Sequence, residues 1–248
     1  MESKFNIAVL IDGDNAQPKL IKEILEEVSK YGKATIRRIY GDWTSQQMNG
    51  WKTIMNQHSI SPIQKFSYTT GKNSTDGSLI IDAMDILHGK NIEGFCIVSS
   101  DSDYTGLAKR IREEGLFVMG IGEKKTPLAF VKSCEIFTFT ENLKSDAEDE
   151  DEKTEAKKSK PKQKETQEKL WVSKEDWKTI HKAFDISTND DDIAFISTLG
   201  LNIRKIDPSF DPRTYGFKTL TKLFQNIDKF EVIKKDIGGS RQPLLKIK

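Results

Sequence analysis

This sequence of 248 residues has two cysteines, a net charge of only +1 and no long apolar run. Cys96 and Cys134 are the only cysteines, each within an apolar segment, which favours reduced core thiols over a disulfide framework. Apolar runs such as Ile7–Ile11 fall far short of the roughly 20 residues that cross a bilayer. The N-terminal residues also lack the features of an export signal. We therefore expect a cytoplasmic protein that does not enter a membrane.

The composition divides the chain into three parts. Residues 145–169 contain an acidic block followed by a stretch rich in Lys, Glu, Gln and Pro, which predicts a disordered linker because too little apolar surface is present to offset the ordering entropy. Residues 1–144 and 170–248 are then predicted to be two domains. The second carries 14 basic and 11 acidic residues, an excess that permits nucleic-acid binding without establishing it.

Apolar runs alternate with amphipathic helical stretches in the first domain. This alternation predicts an α/β fold, in which right-handed crossovers build a mostly parallel sheet covered by helices on both faces. Strands are predicted at 5–11, 34–40, 61–68, 95–100, 116–121 and 136–139, and helices at 18–30, 46–58, 75–87, 104–114 and 128–132.

The second domain has a different pattern. Helices are predicted at 174–184, 192–199 and 217–226, followed by a hairpin of 230–235 and 243–247 across Gly238 and Gly239. Three helices followed by a β-hairpin indicate a small winged-helix-like domain.

The acidic residues of the first domain follow predicted strand ends. Asp12 and Asp14 come directly after the first strand, and Asp101 and Asp103 after the strand at 95–100, while Asp76 opens a helix. Ligands of open parallel sheets bind beyond the carboxyl ends of the strands, where the strand order reverses. We therefore expect these acids to meet there, although each alone could also be an ordinary turn former or helix-start residue.

Bringing Asp12, Asp76 and Asp101 together is electrostatically unfavourable, because two like charges about 4 Å apart repel by about 4 kcal/mol at an effective dielectric near 20. Either some of these carboxyls share protons or a hard cation, Mg²⁺ or Mn²⁺, lies among them. The cation is the simpler interpretation, and it favours phosphodiester hydrolysis by a metal-activated water. Asp82 lies more than a turn beyond Asp76 and cannot share its coordination point, whereas Lys72 is a candidate for neutralising substrate phosphate or only a loop lysine.

Residues 5–140 resemble an NYN domain of the LabA-like group. The resemblance is carried by Ile11-Asp12-Gly13-Asp14-Asn15, by Lys72-Asn73-Ser74-Thr75-Asp76 with Asp82, and by Ser99-Ser100-Asp101-Ser102-Asp103-Tyr104. It implies a PIN-like Rossmannoid fold and a Mg²⁺- or Mn²⁺-dependent endoribonuclease. The family's acidic pocket maps onto Asp12, Asp76 and Asp101 as catalytic and metal-site residues, with Asp103 as a further ligand. Supporting candidates are Asn15, Asp14, Asp82 and Lys72.

Residues 170–248 resemble an OST-HTH domain, also called LOTUS, through the segment from Asp211 to Phe224 that contains Tyr215-Gly216-Phe217. This resemblance implies RNA binding, and a protein partner through this domain stays open. Candidate RNA contacts share a basic or aromatic side chain near the third predicted helix or the hairpin: Arg213, Tyr215, Lys218, Lys222 and Arg241. Tyr215 could equally be core packing, and Lys218 and Lys222 a solvated helix face.

Three hypotheses for function follow. The leading one is a metal-dependent ribonuclease that acts on RNA, predicted to be single-stranded, and holds it with the second domain. A haloacid-dehalogenase-like phosphatase would use Asp12 as nucleophile and Asp14 as acid, but Asn15 and Ala16 replace the continuation expected after that motif. A non-catalytic RNA-binding adaptor would use the acids as a metal-structured docking surface.

Overall fold

The computed structural model describes residues 5–65, 74–89, 91–143, 172–188, 192–237 and 239–248. The chain divides into two compact units between residues 148 and 149. The predicted linker, residues 145–169, lies outside the described residues, so its disorder stays a prediction.

The first unit is built on a sheet of six parallel strands with the order β3-β2-β1-β4-β5-β6. Its strands are β1 Phe5–Asp12, β2 Gly32–Gly41, β3 Ser61–Gln64, β4 Gly94–Val98, β5 Phe117–Gly122 and β6 Ile136–Phe139. Its helices are α1 Ile21–Ser29, α2 Trp51–His58, α3 Ser74–Gly89, α4 Thr105–Glu113 and α5 Leu128–Ser133. The predicted α/β fold, with its strands and helices in this order, is confirmed.

Two hydrophobic cores cover the two faces of this sheet, because successive side chains of a strand point to opposite faces. Ile7, Val9 and Ile11 of β1 pack with apolar residues of α1 and α2, whereas Ala8 and Leu10 pack with those of α3, α4 and α5. Both faces of β1 are therefore buried, in keeping with its unbroken apolar run from Ile7 to Ile11.

Two buried cysteines belong to these cores. Cys96 of β4 packs in the core on the α1 and α2 side, and Cys134, which follows α5, packs in the other. Both are free thiols, as predicted. Burial raises both pKa values, that of Cys134 to about 12, so both stay protonated at neutral pH.

The strand order reverses between β1 and β4. From β1 the chain proceeds outward to β2 and β3, and from β4 it proceeds outward on the other side to β5 and β6. The crevice beyond the carboxyl ends of β1 and β4 is therefore the switch point at which ligands of such sheets bind.

The second unit combines α6 Lys174–Ser187, α7 Ile196–Ile206 and α8 Leu220–Gln225 with an antiparallel sheet of order β7-β9-β8. Its strands are β7 Ile193–Phe195, β8 Phe230–Ile237 and β9 Ser240–Ile247, of which the last two form the predicted hairpin. Its core joins the helices to the sheet through buried apolar residues, among them Phe184, Leu199, Phe224 and Leu245.

Two helix predictions in this unit were wrong. The segment 192–199 begins with strand β7, and helix α7 starts only at Ile196 and continues to Ile206. The helix expected from residue 217 begins at Leu220, because Thr219 is its N-cap and accepts a hydrogen bond from the backbone N–H of Lys222. Lys218 therefore precedes the helix, and Lys218 and Lys222 do not share a helix face.

No helix within the described ranges is long and apolar enough to span a membrane.

Candidate metal centre

Three carboxylates converge at the switch point of the sheet. Asp76, Asp101 and Asp103 each offer an oxygen, and these oxygens all lie within 4.8 Å of one another. Asp76 lies in the first turn of α3, while Asp101 and Asp103 belong to the turn that follows β4. The sequence predicted that Asp12, Asp76 and Asp101 would meet, with Asp103 as a further ligand, and the structure brings Asp76, Asp101 and Asp103 together. Carboxylate oxygens in such a group are the ligands that Mg²⁺ and Mn²⁺ prefer, so the donor set fits the predicted metals.

The turn after β4 is held in shape by its own side chains. The Asp101 carboxylate accepts a hydrogen bond of 3.0 Å from the backbone N–H of Asp103 and caps the 3-10 helix Ser102–Tyr104. The backbone N–H of Asp101 donates to Ser99 Oγ at 3.0 Å. These two bonds fix the backbone of the turn and the position of the Asp101 carboxylate.

Asp12 lies beneath this group and is fully buried. Its Oδ2 accepts hydrogen bonds from Asn15 Nδ2 at 2.7 Å and from Ser99 Oγ at 2.9 Å, and its Oδ1 accepts one from the backbone N–H of Asp14 at 3.2 Å. Ser99 therefore links the end of β1 to the turn that carries Asp101. The structure places Asp12 next to the three clustered acids but not among them.

Gly13 allows the chain to turn sharply after Asp12. A Cβ atom at this position would lie 2.6 Å from Met48 Cε and 2.7 Å from the backbone oxygen of Tyr40. The Gly13 N–H donates to the same Tyr40 oxygen at 2.9 Å. The exposed side chains of Asp14 and Asn15 follow directly, so this glycine brings the polar end of β1 close to the end of β2.

Tyr104 contacts the cluster and was not among the site residues predicted from the sequence. It is buried, and its hydroxyl donates a hydrogen bond of 2.7 Å to Asp76 Oδ1. This contact joins the turn after β4 to helix α3. The signal for it was present in the sequence, since Tyr104 follows Ser-Asp-Ser-Asp directly, but a tyrosine there is equally compatible with simple core packing.

The electrostatics of the site favour a bound cation. Burial raises the pKa of Asp76, and the charges of Asp101, Asp103 and Asp14 raise it further, while the hydrogen bond from Tyr104 lowers it. Burial is also the main cause of the raised pKa of Asp12, which the hydrogen bonds from Asn15 and Ser99 oppose. A divalent cation would relieve this repulsion between carboxylates.

Asp82 pairs with residues of β2 and lies outside the cluster of three carboxylates. Its carboxylate accepts hydrogen bonds from the Arg38 guanidinium and from the Tyr40 hydroxyl. This contact raises the pKa of Arg38, and burial together with Asp82 raises that of Tyr40. Lys72, the remaining supporting candidate, lies outside the described residues.

The RNA-binding candidates of the second domain separate into two groups. The Arg213 guanidinium is paired with Asp211 at 2.7 Å, with side-chain exposures of only 11% and 14%, and the Tyr215 hydroxyl donates to Asp176 of α6. Both side chains therefore stabilise the fold. Lys218, Lys222 and Arg241 are exposed.

The fold and the acids at its switch point define the class of this protein. Six parallel strands flanked by helices form a PIN-like α/β fold, and a separate winged-helix-like domain follows it. A model of the NYN domain matches residues 6–143, and a model of the OST-HTH/LOTUS domain matches residues 172–242. The chain belongs to the NYN domain family, within the PIN-like nuclease superfamily.

Similar solved structures add nothing on function. A crystal structure of a protein of unknown function from Vibrio parahaemolyticus is 16% identical with a TM-score of 0.47, covering 55% of this chain and 93% of that one. The solution structure of an uncharacterized protein from Nitrosomonas europaea is 26% identical with a TM-score of 0.30, covering 37% and 90%. No curated protein matches this chain.

Proposed function

We propose that this protein is a ribonuclease that depends on Mg²⁺ or Mn²⁺ and hydrolyses phosphodiester bonds of single-stranded RNA. The observation that carries the proposal is the convergence of Asp76, Asp101 and Asp103 at the switch point of a PIN-like sheet. Because burial, and then the charges of Asp101 and Asp103, raise the pKa of Asp76, the group is suited to a cation from outside the chain.

In this proposal some residues hold the metal and others position those ligands. Asp76, Asp101 and Asp103 would hold the metal, which when bound activates a water and stabilises charge on the phosphate. Tyr104 orients Asp76, and Ser99 orients the turn of Asp101. Asp12 was expected among the ligands, but it is not part of the group of carboxylates whose oxygens lie within 4.8 Å of one another, so we assign it the role of positioning Ser99 and Asn15, which donate to its Oδ2.

The second domain would hold the RNA, as the OST-HTH/LOTUS match supports. We also propose that residues 145–169 join the two domains as a flexible linker, which limited proteolysis would test by cutting within that segment first. The phosphatase hypothesis gains no support, because a nucleophilic Asp12 would have to be accessible, and this carboxylate is fully buried.

Cleavage of end-labelled single-stranded RNA by the full-length protein tests the proposal. We expect cutting in Mg²⁺ or Mn²⁺ and none in chelator. Asp76→Asn should abolish it, whereas the matched variant Asp85→Asn should cut like the wild type, because Asp85 is an exposed residue of the same helix.

Three other outcomes would count against the nuclease. Equal cutting by wild type and Asp76→Asn would reveal a contaminating nuclease. Metal-independent cutting would contradict the metal centre. RNA that is bound but never cut would favour the adaptor, in which the acids serve only as a docking surface.

A further inference from the structure

The second domain carries a basic and aromatic surface along helix α6. Lys174, Lys178 and Lys182 are exposed and spaced four residues apart, which places them in one stripe along the helix. Trp177 and His181 follow the same spacing immediately beside this stripe. We call this the α6 surface, formed by Lys174, Trp177, Lys178, His181, Lys182 and the exposed Lys229 that precedes strand β8.

Trp177 is the centre of this surface. It is half-buried: its ring packs against Phe230 with 5.7 Å between centroids, and against His181 at 4.9 Å and 79°. The Lys229 ammonium lies over the ring, 4.7 Å from its centroid. Because Lys229 is exposed, an approach from solvent can reach the ring at the place where this flexible side chain now lies.

We propose that the α6 surface is the place where this protein binds single-stranded RNA, with a base stacked on Trp177 and the lysines on the neighbouring phosphates. Single-stranded nucleic acids are bound by aromatic platforms combined with cations that follow the backbone. On binding, the base takes the position of the Lys229 ammonium, which moves to a phosphate. The proposal rests on the proposed function, since it takes RNA to be the ligand.

The hairpin of β8 and β9 is the competing surface, and it offers only part of this chemistry. It carries exposed cations at Lys234, Lys235 and Arg241. Its one aromatic residue, Phe230, is 2% exposed and belongs to the core. The hairpin can therefore contact phosphates but cannot stack a base, whereas the α6 surface can do both.

Acidic residues limit the α6 surface. Glu175 and Asp176 lie in the first turn of the helix, Asp185 lies one turn beyond His181, and Asp228 directly precedes Lys229. Lys178 follows Trp177 directly and Lys229 lies over its ring, so these are the two cations beside the aromatic platform. Their position identifies them as the lysines whose removal should weaken RNA binding most.

Binding of a labelled 12-nucleotide oligouridylate to the full-length protein, measured by fluorescence anisotropy in chelator, tests this assignment. Lys178→Gln/Lys229→Gln should weaken binding about tenfold and lower the salt slope by about 1.4, because each phosphate contact on a single strand contributes about 0.7. The matched variant Lys234→Gln/Lys235→Gln removes the same charge from the hairpin and should bind nearly as well as the wild type.

A second pair of variants tests the stacking itself. Trp177→Leu should weaken binding roughly 5- to 150-fold, the range for loss of one base–aromatic stack, and Trp177→Phe should restore most of it because a ring remains. Thermal unfolding shows whether each variant is folded, and the lysine variants provide the test if Trp177→Leu is not.

The outcomes separate this proposal from the nuclease. A hairpin variant that loses more affinity than the α6 variant would overturn the assignment, as would α6 variants that bind like the wild type. Absence of RNA binding by the wild type would overturn both this proposal and RNA holding by the second domain. Metal-dependent cutting is a separate readout, since none of these substitutions touches the three clustered acids.

Discussion

Two aspartates of helix α3 show how the same residue type acquires opposite roles. Asp82 lies against the Arg38 guanidinium and the Tyr40 hydroxyl, so a cation of the chain neutralises it. Asp76, six residues earlier, lies against Asp101 and Asp103, and burial together with their charges raises its pKa. A carboxylate with its own cation belongs to the architecture, whereas a carboxylate gathered with others is available for a metal.

The largest effect is expected from giving the Asp76 cluster a cation of its own. Asp103→Lys introduces an ammonium at an exposed position of the cluster, much as Arg38 accompanies Asp82. We expect RNA cleavage to fall by at least about a hundredfold, because a catalytic metal contributes several kcal/mol of charge stabilisation and would be displaced. The measurement is the cleavage rate at saturating Mg²⁺ or Mn²⁺.

The same variant carries an internal check on folding. Without metal, Asp103→Lys should be at least as stable as the wild type towards urea, since it relieves repulsion between carboxylates. A variant that is both inactive and unstable would mean that Asp103 supports the fold instead.

Removing the cation beside Asp82 should lower the stability of the fold and leave the cleavage reaction intact. Arg38→Gln leaves the half-buried Asp82 without its cation and should lower the free energy of unfolding by about 1–3 kcal/mol, the usual penalty for such a loss. The rate of cleavage by the protein that remains folded should be close to that of the wild type. A large loss of rate at unchanged stability would place Asp82 in the catalytic machinery and remove the contrast between the two aspartates.

Tyr104→Phe tests the surroundings of Asp76 by removing a single hydroxyl group. It removes the hydroxyl that orients Asp76 and keeps the buried ring. We expect the apparent affinity for Mg²⁺ or Mn²⁺ to fall about tenfold, as for other residues that orient metal ligands, while cleavage at saturating metal recovers. A stability loss with unchanged metal dependence would leave Tyr104 as core packing only.

The smallest effect concerns pH. The folded-state pKa values of Asp12 and Asp76 are raised above the usual 3.8, so their contribution to stability is present below that pH and is lost as pH rises through the raised values. In chelator, the free energy of unfolding should therefore decline through this window less steeply in Asp76→Asn than in the wild type. Mg²⁺ should restore stability at neutral pH by binding the ionised carboxylates. Identical pH curves for the two proteins would contradict the raised pKa of Asp76.

The sequence was sufficient for the first domain because its central strands β1, β4 and β5 are apolar runs that alternate with amphipathic helical segments. The predicted topology brought Asp12, Asp76, Asp101 and Asp103 to one edge of the sheet, and the structure clusters the last three. The burial of Asp12 could not be read from its position, since a strand-end aspartate can point into the site or beneath it. Likewise, the contact between Asp82 and Arg38 joins α3 to β2 across 44 residues, which no local pattern reveals.

The second domain was harder to predict because its elements are short. Strand β7 has three residues, too few to show an alternating pattern, so the sequence predicts a helix over 192–199 instead. Arg213 pairs with Asp211, and the Tyr215 hydroxyl donates to Asp176, so both side chains are held within the fold by acidic residues. In a basic domain an arginine and a tyrosine resemble RNA contacts until their partners are known.

The two buried cysteines provide a domain-selective reporter. Both belong to the first unit, and residues 149–248 contain none. A thiol reagent can react with them only when the cores around the parallel sheet open, because the native thiols are covered and protonated. Labelling kinetics in the intact chain would therefore follow the unfolding of the NYN domain alone, with no contribution from the domain proposed to hold RNA.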